Sequence, residues 1–162
     1  MTQLNNPTTT RAWAFYDWAN SAYALVINST IFPLYYASVT KGQRLNAFGM
    51  QLEPAAVFGY SLMLSFLILV FLSPILSSIA DKRGNKLSFM KFFATMGSLA
   101  CMGLFFFTDI SRIGVCLGLN IMASIGFYGS LVFYNAYLPE IASKDQQDAL
   151  SARGFSLGYA GS

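Results

Sequence analysis

Three stretches of this chain run without a charged residue for longer than a bilayer is thick. Trp18 to Thr40, Pro54 to Ala80 and Ile113 to Pro139 contain no Asp, Glu, Lys or Arg. A hydrocarbon core of about 30 Å is crossed by roughly 20 mainly apolar helical residues, so each run is long enough to span. Phe92 to Thr108 is shorter, but Leu87 to Met90 extends it. The interrupting Lys91 lies near one end, where its stem can carry the ammonium to the headgroups. The reading is therefore an all-α membrane protein with four transmembrane helices plus the start of a fifth. Their expected bounds are about 13–39, 55–80, 87–108, 113–138 and 152–162, the last cut off by the end of the chain.

Composition removes the competing classes. Only 10% of the 162 residues are charged, too few to clothe a water-soluble domain. High apolar content with a net charge of +3 excludes a disordered chain, and so small and dispersed a basic excess offers nothing to nucleic acid. The first run is too long for the apolar region of a signal peptide, and no clean cleavage site follows it. Cys101 and Cys116 fall within expected spans without metal-ligand or CxxC spacing, and read as small buried apolar residues.

The cations give an orientation. With the N-terminus cytoplasmic, that side holds Arg11, Lys82, Arg83, Lys86, Lys91, Lys144 and Arg153, and the other holds Lys41, Arg44 and Arg112. Trp13, Tyr16 and Trp18 then form an inner aromatic belt, and Tyr35 with Tyr36 an outer one.

Polar residues inside the spans carry the functional information. The first helix holds Asp17, Asn20, Ser21, Asn28, Ser29 and Thr30. Counted at about 100° per residue, Asp17, Ser21 and Asn28 share one face with Asn20 beside them. Such a stripe must face protein or water. Two readings stand open: interhelical glue with an Asp at a favourable helix N-terminus, or the lining of a solute cavity. In the fourth helix Asn120, Ser124, Tyr128 and Asn135 share a face. Gly114, Gly118, Gly129 and Ala136 cluster on another, with Gly114 and Gly118 at the GxxxG spacing of close helix contact. On the cavity reading Asp17, Asn20, Tyr23 and Asn28 face the solute from the first helix, and Asn120, Ser124, Tyr128 and Asn135 from the fourth. Asp17, the acidic group on the stripe, is the candidate for coupling to a proton or cation. Pro33 is placed to kink the first helix, Pro54 and Pro139 to mark boundaries. Phe105 to Phe107 read as lipid-facing bulk.

Between the second and third helices lies Ser77-Ser78-Ile79-Ala80-Asp81-Lys82-Arg83-Gly84-Asn85-Lys86. Gly84 gives the turn permissive backbone angles. Asp81, at a helix C-terminus whose dipole repels an anion, needs a cationic or helix-N-terminal partner. The segment resembles the loop motif of the major facilitator superfamily, G-x-x-x-D-(R/K)-x-G-(R/K)-(R/K). Asp81, Lys82, Gly84 and Lys86 match, while Ser77 replaces the leading Gly and Asn85 one basic residue. The resemblance implies that Asp81 and its basic neighbours brace the cytoplasmic ends of two bundles and set the conformational balance.

Three further blocks resemble the "unknown major facilitator" branch, related to autophagy-linked vacuolar amino-acid effluxers. They are Trp13 to Tyr23, Phe133 to Ala142 and Ser151 to Tyr159. The resemblance implies part of the N-terminal six-helix bundle of a twelve-helix fold, working by alternating access on a small solute, with amino acids as the lead. It implies no cofactor and no metal. The expected partners are the bilayer, the solute, a coupling proton or cation, and the missing C-terminal helices or a complementary chain. It points to a bacterial inner membrane rather than an organelle membrane. This length lacks the second half, so the expectation is that the chain alone cannot transport. The alternative function is a small non-transporting membrane scaffold or assembly subunit, recognisable by polar stripes that close entirely on themselves. An intramembrane enzyme has little to work with: no His, no GxSxG and no acidic pair within a span.

Overall fold

A computed structural model describes residues 4–47 and 49–161. In chain order it contains α1 (Pro7–Tyr23), a π-helical turn (Ala24–Ser29), α2 (Ile31–Val39), the strands β1 (Leu45–Ala47) and β2 (Met50–Leu52), α3 (Pro54–Arg83) and α4 (Lys86–Leu104). A 3-10 turn (Ile110–Arg112), α5 (Ile113–Ile141) and α6 (Lys144–Gly161) follow. Four segments among the described residues are long and apolar enough to cross a membrane: Pro7–Val39, Pro54–Lys82, Lys86–Leu104 and Ile110–Ile141. The protein is an all-α membrane bundle. Among the described residues the one sheet is a small antiparallel hairpin between the first two spans, with Asn46 opposite Gln51.

Caps explain where the helices begin and end. Asn6 accepts from the backbone N–H groups of Thr8 and Thr9, and Pro7 occupies the first helical position, so α1 starts at Pro7. Asp17 consequently lies in the third turn of α1, not at its N-terminus. Pro54 likewise opens α3, and Gly84 closes it in the left-handed region, with φ 60° and ψ 33°. Pro139 differs from the boundary reading: it sits within the last turn of α5, which ends at Ile141. The α6 helix begins at Lys144, so a polar segment precedes the charge-free stretch that starts at Gly154.

The phenylalanine run splits. Phe105 and Phe106 are exposed, but Phe107 is buried against the Tyr36 ring at 6.0 Å. Its carbonyl accepts from the Tyr35 hydroxyl at 2.7 Å. Leaving the helix at Leu104 lets Phe107 fold back into a core of Phe32, Tyr36, Phe58 and Cys116.

The α5 helix is central, packing against α3, α4 and α1, while α6 packs on α1. Its close contact with α4 runs through Gly126 and Gly97, where the two backbones touch, and through Gly129, which lies under the Phe93 ring. Gly114 and Gly118 have open space where a Cβ would stand. The small-residue contact of this helix is therefore displaced toward its C-terminal half. At the Trp13 end, Trp13, Ala14, Tyr134, Tyr137, Ile141 and Leu150 form a second core. Asn5 ties the chain start to the α5–α6 corner, its amide donating to the Ser143 hydroxyl at 2.9 Å.

Candidate functional site

The seam between the first span and α5 is polar along its length. Trp13 Nε1 donates to the Tyr134 carbonyl at 3.0 Å, and the two rings stack at 4.2 Å. Further along, the Tyr23 hydroxyl meets Ser124 Oγ at 3.1 Å while its ring stacks on Phe127.

The next contact depends on the π turn. Pro33 has no N–H to offer the Ser29 carbonyl, so the ladder before it loosens. The hydroxyls of Ser29 and Thr30 donate to the carbonyls of Ala24 and Leu25, five residues back, at 2.8 and 2.6 Å. At ordinary helical spacing Asn28 would stand about 140° around the axis from Tyr23. A turn closed five residues back absorbs one residue, and Asn28 reaches α5 to donate to the Tyr128 hydroxyl at 2.8 Å. Asn120, fully buried, instead donates to Ser61 Oγ of α3 at 2.9 Å.

These pairs close part of the polar stripe and leave part open. Asn20 Nδ2, Asn28 Oδ1, Asn120 Oδ1 and the Tyr134 hydroxyl are buried without a hydrogen-bond partner. Beside the seam, between the first span, α4 and α5, lies a cavity of about 450 Å³. Asn20 and Tyr23 line it, joined by Tyr16, Ser98, Cys101 and Ser130. Asp17, Asn28, Asn120, Ser124, Tyr128 and Asn135 are not among its lining residues. Asn135 is exposed, although it shares a helix face with the buried Asn120 and Ser124. The sequence placed Tyr16 only in an aromatic belt and did not single out Ser130. For Tyr16 a signal existed: Tyr16, Asn20, Tyr23 and Ile27 follow the four-three-four spacing of one helix face.

Asp17 turns toward α6. Its Oδ2 lies 3.1 Å from where a Cβ on Gly158 would stand, and 3.7 Å from that point at Gly154. Among the described residues no ion pair involves Asp17.

At the turn between α3 and α4, Lys86 Nζ sits 2.9 Å from Asp81 Oδ1 and 2.9 Å from Glu140 Oε1. It also donates to the Ala136 carbonyl at 3.2 Å. Lys86 thus supplies the cation that Asp81 needs, from the first position of α4, and ties the turn to the end of α5. Lys82 is exposed. Glu140 is the member that sequence reasoning missed, because it arrives from another helix.

Comparison with known proteins fits this architecture. The chain is 38% identical over 151 residues to the "Uncharacterized MFS-type transporter YxiO" of Bacillus subtilis (strain 168), covering 93% of this chain and 34% of that protein. It is 27% identical over 158 residues to an "Uncharacterized protein" of Aquifex aeolicus (strain VF5), covering 93% of this chain and 35% of that protein. The chain thus spans about a third of the length of these relatives. No solved structure matches. Residues 5–156, nearly the whole chain, match the family described as "Vacuole effluxer Atg22 like", and the chain belongs to that family.

Proposed function

We propose that this chain forms part of the N-terminal bundle of a secondary transporter that moves a small solute by alternating access. The observation that carries the reading is the cavity between the first span, α4 and α5, with the Asn20 amide nitrogen buried there without an acceptor. A bundle that only anchors or scaffolds satisfies its polar groups internally. Here Tyr23–Ser124, Asn28–Tyr128 and Asn120–Ser61 are paired as glue, while Asn20 is left to meet something else. That remainder favours the transporter over the scaffold.

Asn20 and Tyr23 contact the solute in this reading, and Asn28, Ser124, Tyr128 and Asn120 hold the helices that shape the cavity. An amide donor calls for an acceptor oxygen, which suits the carboxylate of a small amino acid, the class suggested by the family's relation to effluxers. Asp81, Lys82, Gly84 and Lys86 set the balance between the two access states. Asn135 faces outward, toward the C-terminal helices or complementary chain that completes the path. A proton or cation gradient supplies the drive. The excess of Lys and Arg on one side supports a cytoplasmic N-terminus, and in this reading the bundle sits in a bacterial inner membrane.

Membrane vesicles from cells expressing the gene, loaded with labelled neutral amino acids, test the reading. Asn20→Leu is expected to cut saturable flux at least tenfold while leaving the helical content unchanged. Undiminished flux in that variant overturns the assignment.

A further inference from the structure

Asp17 and Tyr134 converge on a glycine notch in α6 that no role described so far uses. The Tyr134 side chain is 4% exposed, and its hydroxyl has no hydrogen-bond partner. That hydroxyl stands 3.1 Å from the position of a Cβ on Gly154, while Asp17 Oδ2 stands 3.7 Å from the same point and 3.1 Å from its counterpart at Gly158. Neither glycine could carry a side chain without meeting one of these oxygens. The notch continues to Gly161, whose Cβ would fall 2.6 Å from Ser21 Oγ.

Among the described residues no cation compensates the charge on Asp17. Ten residues of α1 precede it, roughly 15 Å of helix, so the N-terminal dipole that favours an anion is out of reach. The titratable groups facing it are Tyr16 of its own helix and Tyr134 of α5, whose rings stack at 5.3 Å. From α6, Gly154 and Gly158 face it. The α6 cation nearest in sequence, Arg153, lines a separate groove with Arg11 and Phe15. A partly buried carboxylate near the end of a membrane span, with no cation beside it, is favoured to bind a proton. One carboxylate and one phenol are too few oxygens to replace the hydration shell of a metal cation.

We propose that Asp17 and Tyr134 form a proton-binding site whose occupancy controls how closely α6 packs on α1. With Asp17 ionised, the carboxylate draws water into the notch and holds α6 off. With the proton bound, the neutral acid shares a hydrogen bond with the Tyr134 hydroxyl and the glycines close over it. The site gives a place and a partner to the gradient coupling of the transporter reading, and its test requires no flux.

The full chain is placed in lipid nanodiscs and titrated while infrared difference spectra follow the carbonyl stretch of a protonated carboxylic acid. A titrating band present in the wild type and absent in Asp17→Asn is expected, and Tyr134→Phe shifts its midpoint. In parallel, Ser21→Cys/Gly161→Cys, with Cys101 and Cys116 replaced by Ala, reports α1–α6 distance by cross-linking. Cross-linking is expected to rise at least threefold from the alkaline to the acid side of the band's midpoint. A band that survives Asp17→Asn, a midpoint unmoved by Tyr134→Phe, or cross-linking independent of pH each overturns the site. Should Asp17→Asn fail to fold, the other two readouts decide.

Discussion

A single methyl group at Gly126 is expected to separate α4 from α5, whereas the same methyl at Gly118 is expected to do nothing of the kind. A Cβ on Gly126 would stand 2.5 Å from the backbone nitrogen of Gly97 and 2.7 Å from the carbonyl oxygen of Phe93. Both are main-chain atoms, which no rotamer change can move aside. Relief to an ordinary contact of about 3.5 Å requires the helices to part by roughly 1 Å, and a gap of that size forfeits about a quarter to a half of each neighbouring contact's attraction. Overpacking of this kind costs about 1–3 kcal/mol. Replacing a helical glycine by alanine also brings a propensity gain of up to about 1 kcal/mol, which obscures the cost in one variant alone. Gly118→Ala supplies the reference, since nothing lies within 4 Å of its Cβ position and it carries the same propensity gain. The assay is reversible unfolding in mixed micelles of rising SDS fraction, followed by helical circular dichroism and tryptophan fluorescence. Gly126→Ala should fall about 2 kcal/mol below Gly118→Ala, roughly a thirtyfold change in the folding equilibrium. Equality of the two variants within about 0.5 kcal/mol would refute the helix crossing described for α4 and α5.

Other contacts give sharper local tests. Tyr128→Phe leaves the Asn28 amide without its acceptor and should cost about 1 kcal/mol in the same unfolding assay, an effect that vanishes when Asn28 is already Leu. Lys86→Met breaks two ion pairs and frees the turn from α5, so labelling of a cysteine placed at exposed Ser88 should change in rate. Asp81→Ala removes one arm only, and its labelling change should be smaller than that of Lys86→Met; equal changes would mean that the Glu140 contact carries no weight. Phe107→Ala should destabilise by about 3 kcal/mol or more, whereas Phe105→Ala should be near neutral.

The spans were legible because a bilayer penalises every charge within it, so three charge-free runs and a fourth broken only by Lys91 marked four crossings. Helix ends were not legible by the same rule, since a helix continues into water wherever caps and polar turns allow. Asn6 and Pro7 extend α1 well before the apolar run begins, and Lys144 starts α6 ahead of its own. That extension changes the chemistry of Asp17. Read as a helix-end residue, its charge was accounted for by the dipole; placed in the third turn, it has no such partner. The polar stripe was found by 100° counting, but the counting fails across the π turn, where Ser29 and Thr30 bond five residues back. Both hydroxyl residues and Pro33 were visible in the sequence, yet only their combined effect on the backbone brings Asn28 to Tyr128.

Glycine spacing was misleading for a related reason. GxxxG records that a helix can be approached closely, and the partner decides where the approach occurs. Gly114 and Gly118 satisfy the pattern and face open space, while Gly126 makes the contact because a lone Gly97 meets it from α4. In α6 the same spacing, Gly154 and Gly158, does mark a close approach, and the group received there is a carboxylate rather than a second backbone. A motif defined within one helix therefore cannot assign its own function. Two chains of side chains must be placed against each other first, and in this bundle that placement separates glycines that let helices touch from glycines that leave room for a titrating acid.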